Sequence, residues 1–385
     1  MVTRAAFAAA VFLYAAFSSP TPDAPGIVEF AVLALLLFAA TSMRLPRDRW
    51  AYPFFGLLAY GTIIPLAIGA LSGHASGDIA RDVIAFAALA VPVVYASQFP
   101  DDQKSQNTLL ALLIGVGMLF SLRYLAQAWR DISALGVGSL DHHFLYLANS
   151  PLVAFAAAFL LLRGCFTEKR VLYAFGFILA SLIPLAAMIG MMQRATLGLL
   201  VFAWFGFLIY TLIKTPRRAA AVIAVCAGII ALLWPLPTLV WESLSEKTLA
   251  VGWNARGAEL AVMMDAVNAN PVTALFGAGW GSLFKSPAVG DLWVRFTHSL
   301  FTSLLWKAGW LGLIMAAAAF AGLVMDATRR LKADPVLLAA LILPLLPALF
   351  LYGSYKSLCF GLLLLALARC NGHPLKQSDK PIPLI

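Results

Sequence analysis

Three side chains in this 385-residue chain pair a reactive type with a position that membrane insertion alone does not explain: His298, Arg194 and Arg256. An imidazole has a reference pKa of about 6.5, so it can take or give a proton near neutral pH. His298 stands in Arg295-Phe296-Thr297-His298-Ser299, at the mouth of a long apolar run. A histidine there can serve as a base or as a plain interfacial hydrogen bonder. Arg194, in Gln193-Arg194-Ala195-Thr196, is nearly the only charge in a long apolar stretch. A charge at mid-membrane costs about 2.5–3.5 kcal/mol on insertion scales, and less at the interface. It therefore either snorkels to headgroups or faces an anion. Arg256 opens a helix-like stretch, where a cation opposes the helix dipole. A solvated arginine gains nothing there, whereas one facing an anion does. Arg295, three residues before His298, is a further candidate contact for the same anion.

Other ionisable residues invite simpler accounts. Lys247 and Lys285 read as solvated loop charges. Lys307 falls about 13 Å below His298 on a helix and has no partner that the sequence names. Asp141-His142-His143 supplies too few groups for a metal and suits an interfacial or acceptor-side role. Asp101-Asp102 resembles an acidic metal pair but reads as a solvated turn. Arg81 and Arg123 either line an outer cavity or snorkel. Four scattered cysteines (Cys165, Cys226, Cys359, Cys370) form no metal or disulfide pattern. No cofactor or metal site is expected.

The elements that must position these groups are membrane helices. Hydrophobic residues make up 62% of the chain and charged ones 12%, with mean hydropathy +0.88. Soluble domains are nearer half apolar and a quarter charged, which excludes a water-soluble enzyme, a disordered tail and a nucleic-acid module. The expectation is an all-α, polytopic membrane protein of about 12 transmembrane helices, a single domain over 1–385. The apolar runs fall at 5–19, 26–43, 51–71, 83–99, 107–128, 142–162, 171–192, 195–213, 219–241, 298–325, 335–352 and 355–368. The first could pass for a signal peptide, but without a clear cleavage site it is taken as a span. With both termini cytoplasmic, the inner segments hold 17 of the 27 basic residues, as the positive-inside rule requires.

A large outer loop, 242–297, joins spans nine and ten. Its middle, 255–269, carries Leu260, Met263, Met264 and Val267 at helical spacing and predicts an amphipathic helix on the membrane surface. Asn270-Pro271 ends it, and Gly277, Gly279 and Gly281 permit a tight path. On a continuous helix Gly309 falls about 20° from His298 and Gly312 about 40° to the other side. That predicts a small-residue stripe below the histidine, where another helix approaches closely.

The spacing around His298 resembles the bacterial O-antigen ligase and polymerase superfamily. That family carries His, then Asn, Ser or Gln, nine residues, Gly, two residues, then Gly, Thr or Tyr. His298-Ser299, residues 300–308, Gly309, Trp310-Leu311 and Gly312 match each fixed position. Arg194 at an outer turn is similar to the family's arginine, and so are Arg256, Asn270-Pro271 and Gly277-Ala278-Gly279 to its loop-helix pattern. Glu259 is a departure, because relatives often place an aromatic residue nearby.

The resemblance implies an inverting, metal-independent glycosyltransferase on the periplasmic face of the bacterial inner membrane. Its donor would be a glycan on undecaprenyl diphosphate, its acceptor lipid A-core, and its other partners membrane lipids. In that role Arg194, Arg256 and Arg295 meet the diphosphate and His298 takes the acceptor's proton. A polymerase or protein O-oligosaccharyltransferase is the same chemistry with another acceptor. A transporter of lipid-linked sugar is the alternative from another class; it should show broken helices and paired charges at mid-membrane. The unexplained charges gather instead at the outer edge of the sequence-derived topology, which favours the enzyme.

Overall fold

The computed structural model describes residues 2–19, 26–133, 146–232, 242, 245, 256–287 and 290–372. Asp141, His142, His143 and Lys247 lie outside them, as does the side chain of Arg256.

The fold is helical. In order it contains α1 (Val2–Phe17), α2 (Ile27–Ala40), α3 (Ala51–Leu71), α4 (Ser76–Ala87), α5 (Val91–Tyr95), α6 (Gln103–Ser133), α7 (Pro151–Leu162), α8 (Val171–Gly190), α9 (Arg194–Lys214) and α10 (Pro216–Leu232). Then come α11 (Arg256–Val267), α12 (Pro271–Phe276), the hairpin β1 (Phe284–Ser286) and β2 (Leu292–Val294), α13 (Leu300–Arg330), α14 (Pro335–Phe350), the 3-10 turn Gly353–Lys356 and α15 (Leu358–Arg369). Among the described residues, six helices are long and apolar enough to cross a membrane, α4 and α5 counting as one through Gln98. Five more apolar helices are shorter.

Burial sorts the helices. Every residue of α15 from Cys359 to Ala368 is buried, and so is nearly all of α7; helices apolar on all sides belong at the centre. In contrast α8 and α9 expose Leu172, Phe175, Phe202 and Phe205, which suits surroundings as apolar as the helices themselves.

One end of the bundle is tied by basic residues. Arg163 pairs with Asp334 at 3.0 Å, and Asp334 also caps α14. Arg330 donates to the Cys370 carbonyl and pairs with Asp326, Arg369 pairs with Asp101, and Arg218 donates to the Glu168 carbonyl. Asp102 caps α6 through the Ser105 amide, which holds its carboxyl below the usual range. The Asp101-Asp102 turn is thus a paired and capping turn, not a purely solvated one. At the far end of α1, Arg123 donates to the carbonyls of Ala15 and Ser18 and so closes a helix terminus.

Two helices leave backbone carbonyls without helical donors, and one loop segment supplies both. Pro65 lies inside α3 and has no N–H, so the Gly61 carbonyl one turn back loses its donor. Trp280 Nε1 replaces it at 2.7 Å, while the Trp280 amide meets Pro65 O at 2.9 Å. In α13, Gly309 stands at φ 69, ψ −172, a combination essentially confined to glycine. That break strips donors from the carbonyls of residues 306–308. The Ala278 amide takes Trp306 O at 2.8 Å, the Gly279 amide takes Lys307 O at 3.0 Å, and Tyr60 OH takes Ala308 O at 2.7 Å. Gly277 has nearly the same backbone, φ 81, ψ −178. A Cβ on Gly309 would stand 2.4 Å from Leu275 O, and one on Gly277 2.4 Å from the Ala308 amide nitrogen. The expected continuous helix is therefore wrong at Gly309, but the close approach expected there is made, by the C-terminal end of the short helix α12 at Leu275 and by Gly277 just after it. The expected approach holds at Gly312 as well, whose missing Cβ leaves room for the Tyr60 ring of α3.

Candidate functional site

The end of the bundle opposite the basic contacts carries the residues of interest. The turn before α13 is fixed by hydroxyls. Ser299 is the N-cap, accepting from the Thr302 amide. Thr297 Oγ1 donates to the Ser299 carbonyl at 2.9 Å and pairs with Ser303 Oγ at 2.8 Å. Ser303 in turn meets Tyr355 OH from the turn Gly353–Lys356. His298 is held inside this knot. The serine of the sequence motif is thus a structural cap that aims its neighbour.

Glu259 reaches His298 from α11. Its Oε2 is 2.5 Å from Nδ1. The Glu259 side chain is 6% exposed and the imidazole 39%, so the carboxylate lies behind the ring and the ring faces outward. An ionised Glu259 accepts only, so Nδ1 carries a proton; in the neutral ring Nε2 then keeps its lone pair. The other carboxylate oxygen, Oε1, is buried with no hydrogen-bond partner among the described residues.

The loop helix forms where periodicity predicts, as α11. Its Met263 and Val267 pack against Leu305 of α13, with Leu260 and Val262 exposed. The buried face that defines this helix is turned to protein and not to a membrane surface. This docking delivers Glu259 to the histidine. Arg256 opens the same helix three residues earlier, its side chain lying outside the described residues.

The remaining predicted residues are placed as follows. Arg194 starts α9 after a turn in which Met192 takes φ 51. The opposite end of α9 leads through Thr215 to Arg218 among the basic contacts, so Arg194 and His298 share one end of the bundle. Arg295 donates from Nε to Asp78 of α4. Lys285 is exposed on β1. Lys307, one residue above the freed Ala308 carbonyl, gains the partner that the sequence did not name. Its Nζ is 2.7 Å from Asp82 Oδ2, both side chains being 2% exposed. The same carboxylate oxygen accepts the Gly281 amide at 2.6 Å, and Lys307 also donates to the Ser282 carbonyl. Among the described residues no cluster of histidine, cysteine or carboxylate side chains has metal-binding geometry.

Sequence reasoning missed Asp78, Asp82 and Tyr355, and took Glu259 only as a departure. Asp78, Arg81 and Asp82 made residues 76–82 look like a loop, so the apolar run was started at residue 83, whereas α4 begins at Ser76. The signal available was an aspartate one helical turn after another, ahead of an apolar run. No family model matches the chain, and no curated protein matches it.

Proposed function

We propose that this chain is an inverting glycosyltransferase of a bacterial inner membrane, with twelve spans, both termini cytoplasmic and the loop 242–297 on the periplasmic side. The donor is a glycan on undecaprenyl diphosphate and the acceptor a sugar hydroxyl, most simply that of lipid A-core. The observation that carries this reading is the outward-facing His298 with Glu259 buried behind it. A carboxylate on Nδ1 fixes the tautomer whose Nε2 accepts a proton, and stabilises the imidazolium that results.

His298 Nε2 takes the acceptor proton as that oxygen attacks the anomeric carbon. The new C–O bond forms opposite the leaving group, the bond to the diphosphate breaks, and the configuration inverts. The departing diphosphate is already an anion and asks for cations, not for a proton. Arg256, one turn from Glu259, Arg194 at the same end, and the part of the Arg295 fork not used by Asp78 supply that charge. The test is transfer by purified protein from a defined lipid-diphosphate glycan to lipid A-core. His298→Ala should lose at least about a hundredfold in kcat while retaining donor binding. Near-normal transfer by that variant would remove the base assignment. A polymerase or protein glycosyltransferase would use the same residues on another acceptor. Gene loss separates ligase from polymerase: the first leaves lipid-linked polymer, the second single repeats.

The transporter reading now has specific support, because a broken helix and a buried Lys307–Asp82 pair are features it calls for. Against it, the carbonyls freed by the break are bonded by Ala278, Gly279 and Tyr60, and the ion pair is closed by Gly281 and Ser282. These groups are spent on holding the loop, which favours the enzyme. Reconstituted protein that moves lipid-linked sugar across a bilayer without transferring it would reverse this preference.

A further inference from the structure

The turn after α14 holds a cation that the mechanism above does not use. Lys356 ends the 3-10 turn Gly353–Lys356, and its Nζ lies 3.8 Å from the centroid of the Phe296 ring. Phe296 is two residues before His298. Tyr355, next to the lysine, bonds Ser303 in the hydroxyl knot that caps α13. Lys356 is therefore fastened to the same turn as the histidine, from both sides of the contact. Lys356 is half-buried, and no ion pair joins it to a carboxylate among the described residues. Three acidic groups of this end are engaged elsewhere: Asp78 with Arg295, Glu259 with His298, Asp82 with Lys307. A lysine resting on an aromatic face without a counter-ion is placed to exchange that face for a stronger anionic ligand.

We propose that Lys356 is a further donor contact, its ammonium leaving the Phe296 ring to bind a diphosphate oxygen when the lipid-linked glycan docks. The inference rests on the transferase reading and adds a residue to it.

A pH signature follows. Burial lowers the Lys356 pKa to about 7, with Asp82 and Glu259 pulling it back up and Lys307 pushing it further down. On the elements around it, α4 also carries Asp78 and Arg81, and the stretch before α13 carries Arg295 and His298. Tyr352 and Tyr355 flank it, and burial holds the Tyr355 phenol above its ordinary range. A bound diphosphate favours the ammonium and raises the lysine pKa. Donor affinity is then full below about pH 7 and falls as pH rises, by up to about tenfold per unit, until the pKa of the complex is passed.

The probe is farnesyl-diphosphate-linked N-acetylglucosamine, whose diphosphate diester stays ionised over the range, with a neutral farnesyl glycoside as control. Binding to detergent-solubilised protein is measured from about pH 6 to 9, and thermal melting checks each variant. The wild type should bind the diphosphate probe with the falling profile. Lys356→Met should bind about ten- to a hundredfold more weakly at the acid end, with a flatter profile. Lys356→Arg, which keeps its charge, should bind well and lose the lysine's slope, and it serves as the test should the methionine variant not fold. Wild-type affinity and slope in both folded variants would overturn the role of Lys356 and leave the transferase reading standing. If the wild type does not prefer the diphosphate probe to the neutral glycoside, the transferase reading falls and the lysine's role falls with it.

Discussion

Glu259→Gln separates a catalytic pair from a structural contact. The wild-type bond spans 2.5 Å between Oε2 and His298 Nδ1. A hydrogen bond to a charged group contributes about 1.5–3 kcal/mol net. At about 1.4 kcal/mol per factor of ten, loss of that stabilisation as the imidazolium forms lowers kcat by about 10- to 150-fold. Glutamine can also present its NH₂ to Nδ1. That would place the ring proton on Nε2 and remove the base, with a loss nearer about 10⁴. Donor binding should be unchanged, since neither group touches the diphosphate in the proposed mechanism. Stability should move the other way or not at all. Glu259 Oε1 is buried without a partner among the described residues, and a neutral amide relieves the cost of a buried charge. The assay is single-turnover transfer with a defined lipid-diphosphate glycan, beside thermal melting of the same preparations. Turnover within about threefold of wild type, or a loss of turnover that merely follows a lowered melting point, would refute the dyad.

Three further outcomes follow from the packing. Gly309→Ala forces a side chain onto a backbone that glycine alone tolerates, with its Cβ against Leu275 O; it should cost at least about 1–3 kcal/mol, read as a drop in melting temperature. Lys307→Met leaves Asp82 buried and uncompensated, a loss of about 3–5 kcal/mol, and adding Asp82→Asn should recover part of it. Should the single and double variants melt alike, the pair is not coupled. Ser299→Ala removes the N-cap of α13 and should cost about 0.5–2 kcal/mol, with kcat falling more than donor binding because the turn that aims His298 is loosened.

What the sequence made legible was whatever local pattern controls. Apolar runs located most of the helices, with 51–71 matching α3 end to end, although the run begun at 83 missed the first turns of α4. The spacing of Met263 and Val267 located α11, and His298 with Ser299 marked the start of α13. What stayed hidden depends on partners distant in the chain. Gly309 interrupts an unbroken apolar run, and hydropathy does not register a backbone torsion. Asp82 is masked by its neighbours and is explained only by Lys307, which lies far along the chain. Glu259 looked like a departure because its meaning is the imidazole it meets across the fold. That Arg194 and His298 share one end of the bundle is what alternating topology already implied.

The threading of residues 277–281 through two defective helices bears on how the protein is made. α3 leaves the ribosome and enters the bilayer well before Trp280 exists, so the Gly61 carbonyl must wait, hydrated or strained, for its indole donor. α13 cannot adopt its Gly309 geometry at low cost until Ala278 and Gly279 are in position. His298 hangs from the top of that late-forming helix. The turn that carries His298 should therefore be completed late in biogenesis, and residues 277–281 moved to another scaffold should fail to keep their path unless α3 and α13 travel with them.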